Sequence, residues 1–416
     1  VIASVVAALV TVVAALTATA QTGMPTEDAA YANQTPYGNP ARTTVEQPPE
    51  GYRLAFVETV GRHGARTVTS SARERRSLTI WARAQKAGAV TDVGGRLADD
   101  IAAFQRAEQR IGYGNLSAVG RAEWRGIGRR TADAYGSFLT EATADGDQVV
   151  VKTSPVQRTT ESADAMLESL EQAVPGLRMP EYVVDPARLL IGNGASFAGN
   201  HATEEVLTSA AVVGAAKHLL ARSYDAAFVE TLDDPVHAAL DLYLLYSTAP
   251  GMAADSGVTF ARYVPLEDAR VLAFAVDAEN FYQFGPGVAG EDSSYRAARP
   301  LLDDFFAALD ERLAGGSTAA VFRLAHGETT MPFAALLGLP GSDRQATTTY
   351  SYADNPWRAD VAGRLAGSIE WAAYTDAEGR ALVTVRHNEH PVELTDRCEA
   401  VTPFFYRPAE LKRCLG

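Results

Sequence analysis

Short apolar runs alternate with amphipathic stretches at both ends of this chain, whereas its middle reads almost wholly as helix. Residues 53–60 (R-L-A-F-V-E-T-V), stopped by Gly61, are the first strand signal. A charged stretch of helical composition follows over 70–110. Ser117 is placed to N-cap a helix that runs through Glu123 and Trp124 towards Phe138. The β-branched run 149–151 predicts a buried strand. It leads through Lys152, Thr153, Ser154 and Pro155 into a helix with Ala163, Met166, Leu167, Leu170 and Val174 at amphipathic spacing. From about 180 to 300, helical patterns and loops dominate. Leu302, Phe305, Phe306, Leu309 and Leu313 then form one apolar helix face, ended by Gly315 and Gly316. Strand signals return at 319–325, an apolar helix candidate spans 332–339, and a last clear strand covers 381–386.

This order predicts an α/β fold, a three-layer sandwich around a mostly parallel central sheet, with an inserted and mainly α-helical cap. Residues 50–175 and 316–416 are assigned to the α/β domain and 176–315 to the cap. In open α/β sheets ligands bind at the carboxyl ends of strands. The chemistry is therefore expected just after the strands at 53–60, 149–153 and 319–325.

Composition narrows the picture. A chain of 416 residues, 47% hydrophobic and 21% charged, has ample length for a large core with an insertion. The net charge of -14 disfavours nonspecific contact with nucleic acid and repels polyanions unless a local basic cleft reverses the field. The position of the arginines thus matters more than their number. Residues 1–20 are apolar, uncharged and end in Ala18-Thr19-Ala20, a small-x-small pattern that suits a partial signal peptide. A run of this length also suits a membrane anchor. Its Ala- and Thr-rich make-up favours cleavage, hence a secreted or extracytoplasmic protein with no stable membrane span when mature. Residues 21–49 are polar with several Pro and Gly, and read as a flexible leader. Two cysteines occur, Cys398 and Cys414; in an exported protein they read as one disulfide clamping the terminal segment, with two free thiols as the other reading.

Three segments carry candidate chemistry. The first strand ends in Gly61-Arg62-His63-Gly64-Ala65-Arg66. An imidazole nitrogen is a competent nucleophile towards phosphorus, and flanking guanidinium forks match phosphate oxygens. Arg158, after the second strand, is placed to add a third guanidinium; taken alone it reads as a solvated helix residue. The third strand gives His326-Gly327-Glu328, in which His can donate to a phosphoryl oxygen and Glu can protonate a leaving alkoxide. The bland reading of that Glu is an N-cap. Glu328 must be protonated while His63 keeps a free nitrogen. Desolvation is expected to raise the acid and the arginines to lower the histidine, which predicts a mildly acidic optimum. The remaining histidines, His201, His218, His237, His387 and His390, show no H-x-x-x-H pattern with a nearby carboxylate, so neither metal nor cofactor is expected.

These constellations, in this order, resemble the histidine acid phosphatases. R-H-G-A-R looks like the family's R-H-G-x-R signature, and the stretches around Gly120 (L-S-A-V-G-R-A-E) and 154–163 are similar to others. The resemblance implies that His63 is the nucleophile and that Arg62, Arg66 and Arg158, with His326, form the phosphate pocket. His326-Gly327-Glu328 resembles the His-x-Glu of the multiple inositol-polyphosphate phosphatases, as do Leu301-Leu302-Asp303-Asp304 and Asn388-Glu389. It implies a small phosphomonoester substrate such as inositol hexakisphosphate. Arg73, Arg76 and Lys86 are candidates for a substrate rim, with a solvated helix face as the alternative. A general acid phosphatase, a phosphomutase-like enzyme and a non-catalytic polyanion binder are the competing functions.

Overall fold

Eight strands build one sheet in the computed structural model, which describes residues 28–416 apart from 39, 41–42, 44, 178–181, 192–198 and 395–396. They are β1 (Arg53–Arg62), β2 (Gln148–Thr153), β3 (Tyr182–Val184), β4 (Thr318–Ala325), β5 (Ser368–Thr375), β6 (Ala381–His387), β7 (His390–Pro391) and β8 (Phe405–Tyr406). The order is β3-β2-β4-β1-β5-β6-β7, with β8 paired to β6. β3, β2, β4 and β1 are mutually parallel; β5 onward runs antiparallel.

The parallel half is covered on both faces, and its side chains alternate between two cores. Val57, Val151, Ala320, Phe322 and Leu324 face Trp124, Ile127, Met166 and Leu170 of the helices Ala118–Ala144 and Gln157–Ala173. Phe56, Val60, Val321 and Ala325 face Phe305, Leu309, Phe333 and Leu337 of the helices Arg299–Leu313 and Gly327–Leu337. Three layers result, as the pattern predicted. Register decides what this scaffold presents: Arg62 pairs with Ala325, and Thr153 with Leu324. Residues 63, 154 and 326 therefore leave the sheet side by side.

A third core forms the cap, and its boundaries differ from the sequence reading. Ala84, Leu97, Ile101 and Phe104 of the helices Ala72–Lys86 and Leu97–Ile111 pack with Leu219, Tyr243 and Leu272 of the helices Ala210–Ala221, Pro235–Thr248 and Leu266–Phe284. The cap thus draws on 72–111 as well as the middle of the chain. Conversely, β3 and Arg299–Leu313, read as cap, belong to the sheet layers. An apolar helix face shows that it is buried, not against what.

β5 was not anticipated. Its sequence S-I-E-W-A-A-Y-T is buried on both faces and shows no period-2 signal; Glu370 within it is matched by Arg386 and Tyr135. The helix expected over 332–339 begins at Gly327, directly after β4. The signal-peptide expectation for 1–20 lies outside the described residues, as does the leader's first part, 21–27. The described part of the leader is packed rather than draped. Asp28–Gln34 forms a 3-10 turn with Ala30 and Ala32 buried, and the Tyr243 hydroxyl donates to the Ala30 carbonyl at 2.8 Å. Cys398 and Cys414 form a disulfide that ties the terminal helix Pro408–Leu415 to the loop before it. Among the described residues no helix is long and apolar enough to cross a membrane.

Candidate active site

β1 delivers His63 into a tightly backed turn. A Cβ on Gly64 would stand 2.6 Å from the Gly120 carbonyl oxygen, and one on Gly120 would stand 2.1 Å from that of Ala65. Only glycine at both positions lets the start of Ala118–Ala144 press against the loop. Ser117 caps that helix by accepting from the Gly120 N–H at 3.1 Å. Glu123, one turn further on, accepts from the Ala65 N–H at 2.7 Å and the Tyr37 N–H at 2.8 Å, and the Trp124 indole donates to the Arg62 carbonyl at 3.2 Å. The Gly64 N–H donates to Ser162 Oγ at 3.2 Å. This backing fixes the imidazole. His63 Nδ1 lies 2.8 Å from the Gly64 carbonyl oxygen, which can only accept. Nδ1 therefore carries the proton, and Nε2 keeps its lone pair.

His326 stands edge-on to His63, with ring centroids 5.5 Å apart. Arg158 Nη2 lies 3.1 Å from its Nδ1 and can only donate, so His326 Nε2–H donates to Ser154 Oγ at 2.8 Å. Arg62 is anchored through Nη1 to the carbonyls of Asn33 and Gly363, and Arg66 through Nη1 to the Thr67 carbonyl at 2.8 Å. The Nε–H groups of Arg62, Arg66 and Arg158 are all buried and have no acceptor among the described residues.

The electrostatics follow from three guanidiniums in one place. Burial, then Arg158, Arg62 and Arg66, push the His63 imidazole well below its usual value. Burial and Arg158 lead in lowering His326 to about 4. Arg66 is lowered to about 9 by burial and by its two neighbours, and Arg62 to about 10 chiefly by burial. Guanidinium stays charged in proteins, so these directions report a pocket whose positive charges repel and whose energy an anion would lower.

Glu328 occupies the first turn of Gly327–Leu337 with its side chain exposed. Burial was expected to raise its carboxyl. Loss of hydration to the protein packed around this still accessible carboxyl is the largest single influence, but Arg62, the residue's own backbone N–H, His326 and Arg66 together outweigh it and hold the group below the usual carboxylate value. The spacer Gly327 also has a role: an Ala Cβ there would stand 3.2 Å from Arg62 Nε, pressing on the guanidinium.

The structure brings together Arg62, His63, Arg66, Arg158, His326 and Glu328. The rim candidates fare differently. Arg73 is near enough to lower Arg66. Arg76 is bound bidentately to Asp241 at 2.7 and 2.5 Å, which spends its fork on the cap. Lys86 ends the helix that Arg73 begins, some 20 Å away along its axis at ~1.5 Å per residue. Sequence reasoning assigned no role to Ser154, Glu123 or Ser162. Ser154 sits one residue past a strand and Glu123 three past Gly120, inside segments already marked for other residues. Among the described residues, His218, Glu267 and Asp268 are the group with spacing for a metal ion. They stand on the cap helices Ala210–Ala221 and Leu266–Phe284, and Arg222 and Arg262 line the same cleft.

An imidazole with a free Nε2, beside three guanidiniums whose Nε–H groups have no acceptor among the described residues, has the make-up of a phosphate-binding site at the carboxyl edge of a sheet. Residues 53–369 match the histidine phosphatase superfamily (branch 2), and the chain belongs to that family. It is a phosphatase. The structure resembles the apo form of Bifidobacterium longum multiple inositol polyphosphate phosphatase, with 27% identity, a TM-score of 0.87, and 93% of this chain and 97% of that one covered. The same protein in complex with inositol hexasulfate gives 26% identity, a TM-score of 0.85 and the same coverage. The phytase from D. castellii, 13% identical, shares the fold at a TM-score of 0.70 over 94% of this chain and 84% of that one. No match was found among curated protein sequences.

Proposed function

We propose that this chain is a secreted phosphomonoesterase that removes phosphate from inositol polyphosphates through a phosphohistidine on His63. The observation that carries the reading is the trio of unpaired Nε–H donors around a histidine whose Nε2 is free. A phosphate group supplies the missing acceptors and places phosphorus in line with the nucleophile. His63 Nε2 attacks phosphorus, the bond to the leaving alkoxide breaks, and Glu328 gives that alkoxide its proton. Water then attacks the phosphohistidine, Glu328 takes the water's proton, the P–N bond breaks, and inorganic phosphate leaves. His326, which accepts from Arg158 and donates to Ser154, orients the Arg158 guanidinium towards the transferring oxygens.

In the empty pocket both His63 and Glu328 are held below their usual values. Their working overlap therefore lies on the acidic side, and the negative charge of a bound polyphosphate returns the proton to Glu328. Likeness to an inositol polyphosphate phosphatase seen with inositol hexasulfate supports the substrate class. The disulfide supports an oxidising compartment.

The test is phosphate release from phytate, 2,3-bisphosphoglycerate and an aryl phosphate at about pH 5, each with EDTA. Release from phytate, lost by roughly 10⁴-fold or more in His63→Ala, is expected. Turnover of the aryl ester alone would reduce the chain to a general acid phosphatase. Loss of turnover on chelation would mean that a metal takes part.

A further inference from the structure

Behind the arginine pocket lie two carboxyl groups that the phosphatase chemistry does not use. Glu74 is in the first turn of Ala72–Lys86, Glu108 in the last turn of Leu97–Ile111, and both are 0% exposed. Each carboxyl stands close enough to the other to shift its protonation. Glu108 Oε1 also accepts from the Val68 N–H at 2.8 Å, and the Tyr113 hydroxyl donates to Glu74 Oε2 at 3.3 Å. Two carboxylates cannot bond to each other without a proton between them, and two adjacent charges in a dry site do not both ionise. One proton closes the network. Glu108 Oε2 and Glu74 Oε1, both buried and without a hydrogen-bond partner among the described residues, are the oxygens left to hold it.

Val68 follows Arg66 by two residues, and the segment between them is held by the chain that continues from Glu108. Arg66 bridges to Leu116, and the Thr67 N–H donates to the Asn115 carbonyl at 3.1 Å. The Thr67 hydroxyl donates to the Gly112 carbonyl at 2.8 Å, and the Gly114 N–H to the Val68 carbonyl at 2.8 Å. The Val68 N–H is the point at which the carboxyl pair enters this lattice.

We propose that Glu74 and Glu108, sharing one proton, form a positioning pair for Arg66, and that loss of the proton slackens the loop and weakens anion binding at alkaline pH. The proposal rests on Arg66 being a phosphate ligand. Burial, then the bond to Glu74, push the Glu108 carboxyl up from 4.5 to about 9, with the Val68 N–H and Arg66 opposing. The other groups facing the pair are Arg75 beside Glu74, the Tyr113 hydroxyl, itself raised, and the amide of Gln105. The native state thus binds a proton that the unfolded chain releases near 4.5. The pair's contribution to stability is full below that value and is lost as pH rises towards 9.

Titration of the full chain with sodium sulfate, whose charge is constant over this range, tests the idea without turnover. Wild-type affinity is expected to fall roughly tenfold between about pH 6 and pH 9.5, the worth of one weakened charge-assisted hydrogen bond. Glu108→Gln keeps an oxygen for the Val68 N–H and supplies an N–H for Glu74. It should match the wild type at pH 6 and hold its affinity at pH 9.5, whereas Glu108→Ala should be weak at both. Should Glu108→Gln follow the wild-type decline, or bind weakly at pH 6, the positioning pair is refuted. Arg66→Ala separates the two claims: unchanged sulfate affinity there would remove the phosphate pocket itself, while a large loss there beside an inert Glu108→Gln would remove only the pair.

Discussion

Two clusters of cations stand on the same three strands and have opposite chemistry. On the face towards Arg299–Leu313 the cations have carboxyl partners: Arg323 meets Glu58 at 3.0 Å and Asp304 at 2.8 Å, and Lys152 meets Asp304 at 2.7 Å. At the carboxyl edge, a few residues further along the chain from β1 and β2, the Nε–H groups of Arg62, Arg66 and Arg158 have no acceptor among the described residues, and Glu328 nearby offsets part of their charge. Burial of charge is costly and is normally compensated by a partner. Where compensation is complete, as around Asp304, whose carboxyl Arg323 and Lys152 hold below its usual value against burial, the charges support β4 under His326. Where it is withheld, the stored repulsion becomes affinity for an anion. Asp304, in the segment singled out in the sequence, is thus a structural device, whereas the arginine turn keeps charge that nothing among the described residues fully offsets.

Mutations should separate the two. Asp304→Asn leaves Arg323 and Lys152 without their carboxylate and should cost about 3–5 kcal/mol of stability, read by denaturant unfolding, with kcat changed little at temperatures where the variant is folded. Arg158→Ala should do the reverse: kcat/KM for phytate falls about 10²-fold, the worth of charge-assisted bonds to the transferring group, while the melting temperature holds or rises as repulsion is relieved. Sulfate at 100 times its Kd should stabilise the wild type by ~2.7 kcal/mol and Asp304→Asn equally, but Arg158→Ala far less at the same concentration. If Arg158→Ala destabilises the fold as Asp304→Asn does, the contrast between matched and unmatched charge fails.

The fold was legible wherever burial writes a period into the chain. β1, β2 and β4, the helices that follow them, and the capped start at Ser117 are set by local patterns. β5 was not, because a strand buried on both faces carries no alternation. The cap's true extent was not, because Ala72–Lys86 and Leu97–Ile111 look the same whether they pack on the sheet or on other helices. In the site, His63, Arg62 and Arg66 were legible because one short segment holds them. Glu123, Ser154 and the Glu74–Glu108 pair were not, since each matters through backbone brought from elsewhere.

The sequence alone determined which groups are available: an imidazole bracketed by guanidiniums after one strand, an arginine after a second, an imidazole and a carboxyl after a third. Only the tertiary structure decided that these ends come level, which tautomer His63 adopts, and that Glu328 is lowered rather than raised. Those outcomes depend on register and on distances between charges far apart in the chain, and Coulomb interactions in a dry pocket change steeply over a few ångströms.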